Sequence, residues 1–201
     1  MKAHTLALSL FLIFASNAYA GDIDAIAAEC NDCHGPAGVS ENTDVPTIAG
    51  IPEFVHSDAL YIYRDEERPC ASSAFRHGDT SRPEKTMCQV VADFDDDTID
   101  AIAAHYAELP FVAAKQEFDA GLAATGKAIH EEHCDKCHSD GGSNPDDEAS
   151  ILAGQWAGYL KSTFAEYAAD ERDQPSSMRD RMEALSDADE AALIQYYISQ
   201  Q

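Results

Sequence analysis

The chain is poor in positive charge: 13 Lys and Arg stand against 37 Asp and Glu in 201 residues, a formal net charge of −24. So acidic a surface repels nucleic acid and anionic lipid, which excludes binding built on phosphate neutralisation. Two meanings stay open, attraction to a basic partner at low salt and solubility in a saline medium. Long apolar runs are also lacking. Beyond the first twenty residues none approaches transmembrane length, so the rest reads as a chain without a membrane span. No stretch reads as a sheet, which removes the βαβ setting of a thioredoxin-like redox pair.

The first twenty residues, "MKAHTLALSLFLIFASNAYA", have their own pattern. Lys2 gives a positive start, an apolar run covers residues 6–14, and Ala18-Tyr19-Ala20 fits a small-x-small cleavage site. Residues 1–20 therefore read as an export signal, with an uncleaved anchor as the alternative, and the mature protein is expected in the periplasm. Its loss leaves 201 − 20 = 181 residues, with 12 basic against 37 acidic, or −25.

Six cysteines remain, and an exported chain tends to pair them. Their spacing argues otherwise for four. "ECNDCHGPAG" (29–38) sets Cys30, Cys33 and His34 in a C-x-x-C-H motif, and "HCDKCHSDGG" (133–142) repeats it with Cys134, Cys137 and His138. At an offset of 134 − 30 = 104, Gly38 also falls on Gly142, and Ile48-Ala49-Gly50 on Leu152-Ala153-Gly154. "FDDDTIDAIAAHY" from Phe94 then matches "LSDADEAALIQYY" from Leu185 at an offset of 185 − 94 = 91, so the first half carries 104 − 91 = 13 extra residues between Gly50 and Phe94. One unit is written twice.

The expected elements are helices. Ile99, Ile102, Ala103 and Tyr106 follow i, i+3, i+4, i+7 spacing behind the capping residue Asp95; Leu193, Ile194 and Tyr197 do so behind Ser186. Another helix is expected over 159–167 with Leu160, Thr163 and Phe164 inward. One more is expected over 117–133 with Phe118, Leu122 and Ile129 inward. Residues 109–116, "LPFVAAKQ", read as the linker, because Pro110 cannot continue a helix. The expected division is a first domain over 21–108 and a second over 117–201. Each half is too small to be stabilised comfortably by its own apolar side chains, so a bulky apolar group is expected in each core.

C-x-x-C-H is the attachment signature of c-type haem. Two thiols three positions apart can add to the two vinyl groups on one side of the porphyrin, and the adjoining histidine faces the iron. Two haem c groups are expected, on Cys30, Cys33, Cys134 and Cys137, with His34 and His138 as axial ligands. A zinc site built from two C-x-x-C pairs spaces them more closely, by about 15–20 residues. For the sixth ligand the repeat selects methionine: Met87 lies 94 − 87 = 7 residues before Phe94, and Met178 lies 185 − 178 = 7 before Leu185. Methionine opposite histidine raises the reduction potential. Met182 lacks that register and reads as a core or haem-edge contact. His56, His77, His105, His130 and His133 have no histidine at the repeat-equivalent position and read as surface or capping residues; His77 stands in the loop leading to Met87.

Cys70 and Cys88 both fall in the extra segment, eighteen positions apart, with Cys88 directly after Met87. A disulfide there would fix the Met87 loop; free thiols, or a cysteine on the iron, are the alternatives. The Pro46 carbonyl stands where it can hold the His34 ring N–H, with Ser150 the equivalent position in half two. Gly35, Gly38, Gly141 and Gly142 are expected to let the backbone pass near the haem, and Trp156, the single tryptophan, to pack on the second haem or fill the core. "SDGGSNPDDE" (139–148) reads as a solvated turn.

The order C-x-x-C-H, then P-x-I/L-A-G or its variant, then a methionine seven residues before an acidic-capped helix, resembles the dihaem cytochrome c4 family over nearly all of the mature chain. That resemblance implies an all-α fold of two tandem class I cytochrome c domains, acting as a periplasmic one-electron carrier rather than an enzyme. "AKQEFDAGLAATGKAIHEEHCDKCH" with "DDEASILAGQWAGYL" further resembles the cytochrome subunit of flavocytochrome c sulfide dehydrogenase. This implies a flavoprotein sulfide dehydrogenase subunit as electron donor. A free shuttle to a terminal oxidase is the alternative, and a haem enzyme of peroxidase or thiosulfate-oxidising type the second. The Cys70–Cys88 segment is not part of that subunit's pattern.

Overall fold

Two helices of each half have the same length, 12 residues, because the same apolar spacing recurs in each. In the computed structural model residues 20–201 are described, with side chains from Ile23 onward; apart from Ala20, the export signal expected over residues 1–20 lies outside the described residues. The first half holds α1 (Ala20–His34), α2 (Glu53–Arg64), the strands β1 (Ser72–Ser73) and β2 (Lys85–Thr86), α3 (Met87–Val91) and α4 (Asp96–Ala107). The second holds α5 (Ala120–His133), α6 (Ser139–Gly142), α7 (Ala157–Ala168), α8 (Ser176–Met182) and α9 (Asp187–Ile198). Short 3₁₀ turns, Pro36–Gly38 and Pro145–Asp147, follow the two motifs.

The duplication keeps its register at two helix pairs. α7 starts and ends 104 residues after α2 (157 − 53 and 168 − 64), and α9 starts and ends 91 after α4 (187 − 96 and 198 − 107). Glu66 and Asp170, also 104 apart, both take φ of +57° just past α2 and α7. Since that register still holds at Arg68 and Arg172, the extra residues lie between Arg68 and Met87. They form the antiparallel pair β1–β2, with Ser72 opposite Thr86. The expectation of no sheet fails there: an inserted segment with no counterpart must satisfy its backbone groups by itself.

The expected caps are present. The Asp95 carboxylate accepts the Thr98 N–H at 2.9 Å, and Ser186 and Asp189 form a reciprocal capping box. Each half has its own core: Ile48, Leu60, Val91, Ile99, Ile102 and Tyr106 in the first, Leu160, Phe164, Leu193, Ile194 and Tyr197 in the second. Burying each such side chain stabilises the fold by roughly 1.5–3 kcal/mol. On α5 the expected inward set holds only for Ile129, which packs against the second core. Phe118, before the helix, and Leu122 are exposed, and Ala123, Gly126 and His130 are inward instead. The reason is proximity: a Cβ at Gly126 would stand 2.0 Å from the Ala192 carbonyl oxygen, so α5 touches α9 through its smallest side chains.

The segment joining the halves runs along the second. The Ala114 N–H donates to the Gly154 carbonyl at 2.7 Å, and the Gln116 side chain spans the Gln155 carbonyl and the Ala157 N–H. Across the boundary, Thr47 and Gln155 bond reciprocally, and the Tyr159 N–H donates to Thr43 at 2.8 Å. The Trp156 indole donates to the Ser40 carbonyl at 2.9 Å, so this residue ties the halves together. Among the described residues no helix is long and apolar enough to cross a membrane.

Candidate functional site

In half one the motif is helical. α1 carries Cys30, Cys33 and His34 in its last two turns, which places both thiols near one face with the imidazole beside them. His34 is buried, and its Nδ1 lies 2.9 Å from the Pro46 carbonyl, the partner expected from the sequence. That bond makes Nδ1 the donor and leaves Nε2 as the free lone pair, the arrangement an axial ligand needs. Burial holds the His34 pKa low, against the opposing pull of that carbonyl, so the ring is neutral.

The tyrosine at the end of each half reaches back to its motif. The Tyr106 hydroxyl lies 3.1 Å from the Ala27 carbonyl and 2.9 Å from Asn31 Oδ1, while Asn31 accepts the Gly38 N–H. Burial pushes the Cys30 thiol up to about 11, with the Tyr106 hydroxyl opposing. Tyr197, 91 residues later, lies beside Cys134 and bonds His130 Nδ1 at 3.1 Å. His130 is thus buried, not the surface or capping residue expected. His56 is buried too, its ring tilted against that of Tyr106 at a centroid distance of 5.6 Å, and burial lowers its pKa to about 4.

Half two departs from half one at the motif itself. α5 ends at His133, so Cys134 to Cys137 lie in turns, and His138 has φ −122°, ψ 63°. His138 Nδ1 is buried without a hydrogen bond; the Ser150 carbonyl faces it but falls outside bonding geometry. Asp147 draws Ser139, accepting from its N–H and hydroxyl, so the exposed turn over 139–148 is pinned by its own side chains. The glycines serve protein contacts. At φ +74° a Cβ on Gly38 would stand 2.7 Å from the Tyr106 ring, and at Gly142 it would stand 3.0 Å from Leu152; Gly35 and Gly141 likewise face protein atoms, not an open cradle.

Met87 opens α3 and packs on the first core, with Thr86 and Gln89 forming a capping box around it. Cys88 is bridged to Cys70 at a Cα separation of 5.9 Å, within disulfide reach. In half two Met178 is half-buried on α8, while Met182 packs against the second core, as its register implied. A cleft of about 320 Å³ opens between α5 and α8, walled in part by Ile129, His133, Ser177 and Leu185; Met178 does not line it. The inserted segment folds onto the first motif. The Arg76 and His77 N–H groups donate to the Asp32 carbonyl, and Arg82 pairs with the Asp32 carboxylate. Cys33 is partly covered, whereas Cys137 is exposed.

A donor set of two unpaired thiols beside a histidine, once per half, fits one covalent haem c in each half. The neutral ring of His34, with Nδ1 on the Pro46 carbonyl and Nε2 free, agrees with ligation. Missed by sequence reasoning were the arginines 68 and 172, both buried; their register in the repeat was the available signal.

Residues 121–196 match the family model described as cytochrome c oxidase, cbb3-type, subunit III. No curated protein matches. Among solved structures, the chain is similar to reduced recombinant cytochrome c4 from Pseudomonas stutzeri, at 23% identity and a TM-score of 0.71, covering 90% of this chain and 98% of that one. It is similar to cytochrome c4 from Acidithiobacillus ferrooxidans at 21% identity and a TM-score of 0.67, covering 86% and 99%. It also matches thiosulfate dehydrogenase (TsdBA) from Marichromatium purpuratum at 21% and 0.67, over 86% of this chain and 36% of that one. The chain has the fold of the cytochromes c4, all-α, with two class I cytochrome c units in tandem.

Proposed function

We propose that the protein is a periplasmic electron carrier holding two covalent haem c groups. The observation that carries this reading is the doubled C-x-x-C-H motif, each histidine at the foot of its own helical core and in register over the whole repeat. Its domains are residues 21–108 and 117–201, joined by 109–116. Cys30, Cys33, Cys134 and Cys137 would attach the haems, with His34 and Met87 on one iron and His138 and Met178 on the other. Bound in this way, haem c supplies a one-electron couple. The chain's own residues hold the imidazole of His34 in one tautomer through Pro46, and the Cys70–Cys88 bridge anchors the segment bearing Met87. Tyr106 and Tyr197 tie each closing helix to its motif.

For the electron donor, the leading reading is a sulfide-oxidising flavoprotein that this chain serves as cytochrome subunit. Its support is the second-half resemblance and an acidic surface suited to a basic partner. The likeness to a thiosulfate dehydrogenase bears instead on the third reading, a haem enzyme of thiosulfate-oxidising type. A free shuttle to a terminal oxidase is the second reading, favoured by the near-complete overlap with cytochrome c4 chains. The test is an absorption spectrum of the protein purified from the periplasm, before and after sulfide. Flavin absorption with haem reduction by sulfide supports the subunit reading. Two haems, no flavin and no reduction support the shuttle. A high-spin spectrum that binds carbon monoxide without denaturation would contradict methionine ligation and the carrier role.

A further inference from the structure

The inserted segment has no copy in the second half, and its charge runs against the rest of the chain. Residues 69–91 carry three basic side chains, Arg76, Arg82 and Lys85, against two acidic ones, Asp79 and Glu84. The other residues after position 20 carry nine basic against 35 acidic. The segment lies over the first C-x-x-C-H motif. The Arg76 and His77 N–H groups donate to the Asp32 carbonyl at 2.8 and 2.9 Å, and a Cβ at Gly78 would stand 2.5 Å from the Asp32 carboxylate, so the two surfaces touch closely. The Cys70–Cys88 bridge ties the two ends of the segment together and holds it in this place.

All three cations stand near the motif. Burial raises the Cys33 thiol and Asp32 adds to that, while Arg82, Arg76 and Lys85 pull the other way. Arg82 pairs with Asp32 and lies 3.6 Å from the centre of the Phe75 ring, and Arg76 pairs with Asp44 at 2.6 Å. The two guanidinium groups thus cancel the charges of Asp32 and Asp44, yet their side chains stay 31% (Arg76) and 30% (Arg82) exposed. Lys85 is exposed and, among the described residues, pairs with no carboxylate. An open groove of about 470 Å³ runs over Phe75, lined also by Arg82, Pro83, Glu84, Lys85 and Gln89. The second motif has the opposite surroundings. Glu131, Glu132, Asp135 and Asp140 are exposed around it, and Lys136 stands at the repeat position of Asp32 (136 − 104 = 32).

We propose that the inserted segment is the docking surface for an acidic redox protein, seated on the groove beside the first haem site and held by Lys85 and Arg82. The proposal rests on the two-haem reading: one electron crosses between the first haem iron and the partner's centre, oxidising one as it reduces the other. Charge complementarity selects the occupant. At about 0.1 M salt, charges more than about 10 Å apart are largely screened, so an approaching face senses the segment in front of it rather than the whole chain. There a partner's carboxylates meet Lys85 and the open edges of two arginines, whereas at the second motif they meet like charge. The anchoring at Asp32 and at the disulfide leaves little to be ordered on contact. The segment therefore suits a different partner from the basic one that the acidic remainder of the surface suits.

The test is stopped-flow reduction of the oxidised holoprotein by flavodoxin hydroquinone, an acidic one-electron donor protein used as the probe, at an ionic strength of about 0.1 M. Haems are counted by pyridine haemochrome in each sample, and a count below two would remove the dihaem reading itself, independently of the segment. With two haems present, Lys85→Glu is expected to slow the reaction roughly tenfold and Lys85→Gln by less. Lys136→Glu, the matching change at the second motif, should leave the rate as it is. Photoreduced lumiflavin, a small uncharged donor, should reduce all four proteins alike. An unchanged rate in Lys85→Glu would overturn the proposal. Equal slowing by Lys85→Glu and Lys136→Glu would do the same, since overall charge alone would then set the rate, and slowing with lumiflavin would place the effect at the haem instead. A wild-type dimer in sedimentation that Lys85→Glu dissolves would make a second copy the occupant and overturn the acidic partner.

Discussion

Thr47 and Gln155 exchange two hydrogen bonds across the two halves: the Thr47 N–H donates to Gln155 Oε1 at 3.1 Å, and Gln155 Nε2 donates to the Thr47 carbonyl at 2.7 Å. Both residues are essentially without solvent exposure. Thr47 follows Pro46, whose carbonyl holds His34, so one clamp fixes the domain boundary and the peptide that orients an axial ligand.

Gln155→Ala should therefore weaken the junction. It strands a buried backbone N–H and carbonyl, which costs about 1–3 kcal/mol. Thermal unfolding of the holoprotein should shift down with the haem spectrum unchanged at room temperature. An unshifted melting curve would mean that water replaces the amide.

Removing the disulfide should act on one half only. With eighteen positions between Cys70 and Cys88, chain entropy puts the bridge at roughly 3 kcal/mol. In Cys70→Ser with Cys88→Ser, denaturant should detach methionine from the first iron well before the second. The methionine–iron band in the near infrared then falls in two steps. A single step at the wild-type midpoint would show that the capping box of Thr86 and Gln89 suffices to hold Met87.

How much of this was legible in the sequence depends on distance along the chain. The motifs, the caps at Asp95 and Ser186 and the Pro46 carbonyl follow from local spacing or from one repeat laid on the other, whereas spacing leaves the Cys70–Cys88 bridge one option of three. What escaped depends on neighbours far away in sequence. Leu122 looks inward by periodicity, but α9 approaches so closely at Gly126 that only small side chains fit between the helices. Trp156 was assigned to a haem or a core, and it spans two halves. His130 lacks a histidine counterpart, which suggested a surface role, yet Tyr197 supplies its partner from the opposite end of the repeat. The β1–β2 pair lies in the one segment with no second copy for comparison.

Gly126→Ala is expected to be costly although alanine favours helices. Its Cβ would stand 2.0 Å from the Ala192 carbonyl oxygen, and overpacking of this kind costs roughly 1–3 kcal/mol or more. Denaturation followed at the second domain should show the loss, and a stabilised variant would mean that α5 and α9 separate freely.

Met178→Ala and Met182→Ala should separate the two methionines of α8. The first is expected to open the second iron to carbon monoxide and lower its potential. The second should lower stability by a few kcal/mol, as truncation in a core does, and leave the iron closed. Reversed outcomes would transfer the ligand role to Met182.

The two histidine rings should also differ in exchange. The His34 Nδ1 proton is held by Pro46, whereas His138 Nδ1 has no such bond. Proton NMR of the holoprotein should show a protected His34 ring N–H and a faster-exchanging one on His138. Equal protection would mean that Ser150 closes on His138 once the haem is attached.

The inserted segment, pinned to Asp32 by Arg76, His77 and Arg82, covers the first motif and leaves Cys137 of the second exposed. A duplicated molecule has interchangeable ends only while both ends look alike to a visitor. Here they do not. The Cys137 side presents exposed Asp135, Lys136 and Asp140, whereas the Cys33 side presents a hairpin bearing Arg76, Arg82 and Lys85. That single graft makes the two ends of a duplicated molecule chemically distinct.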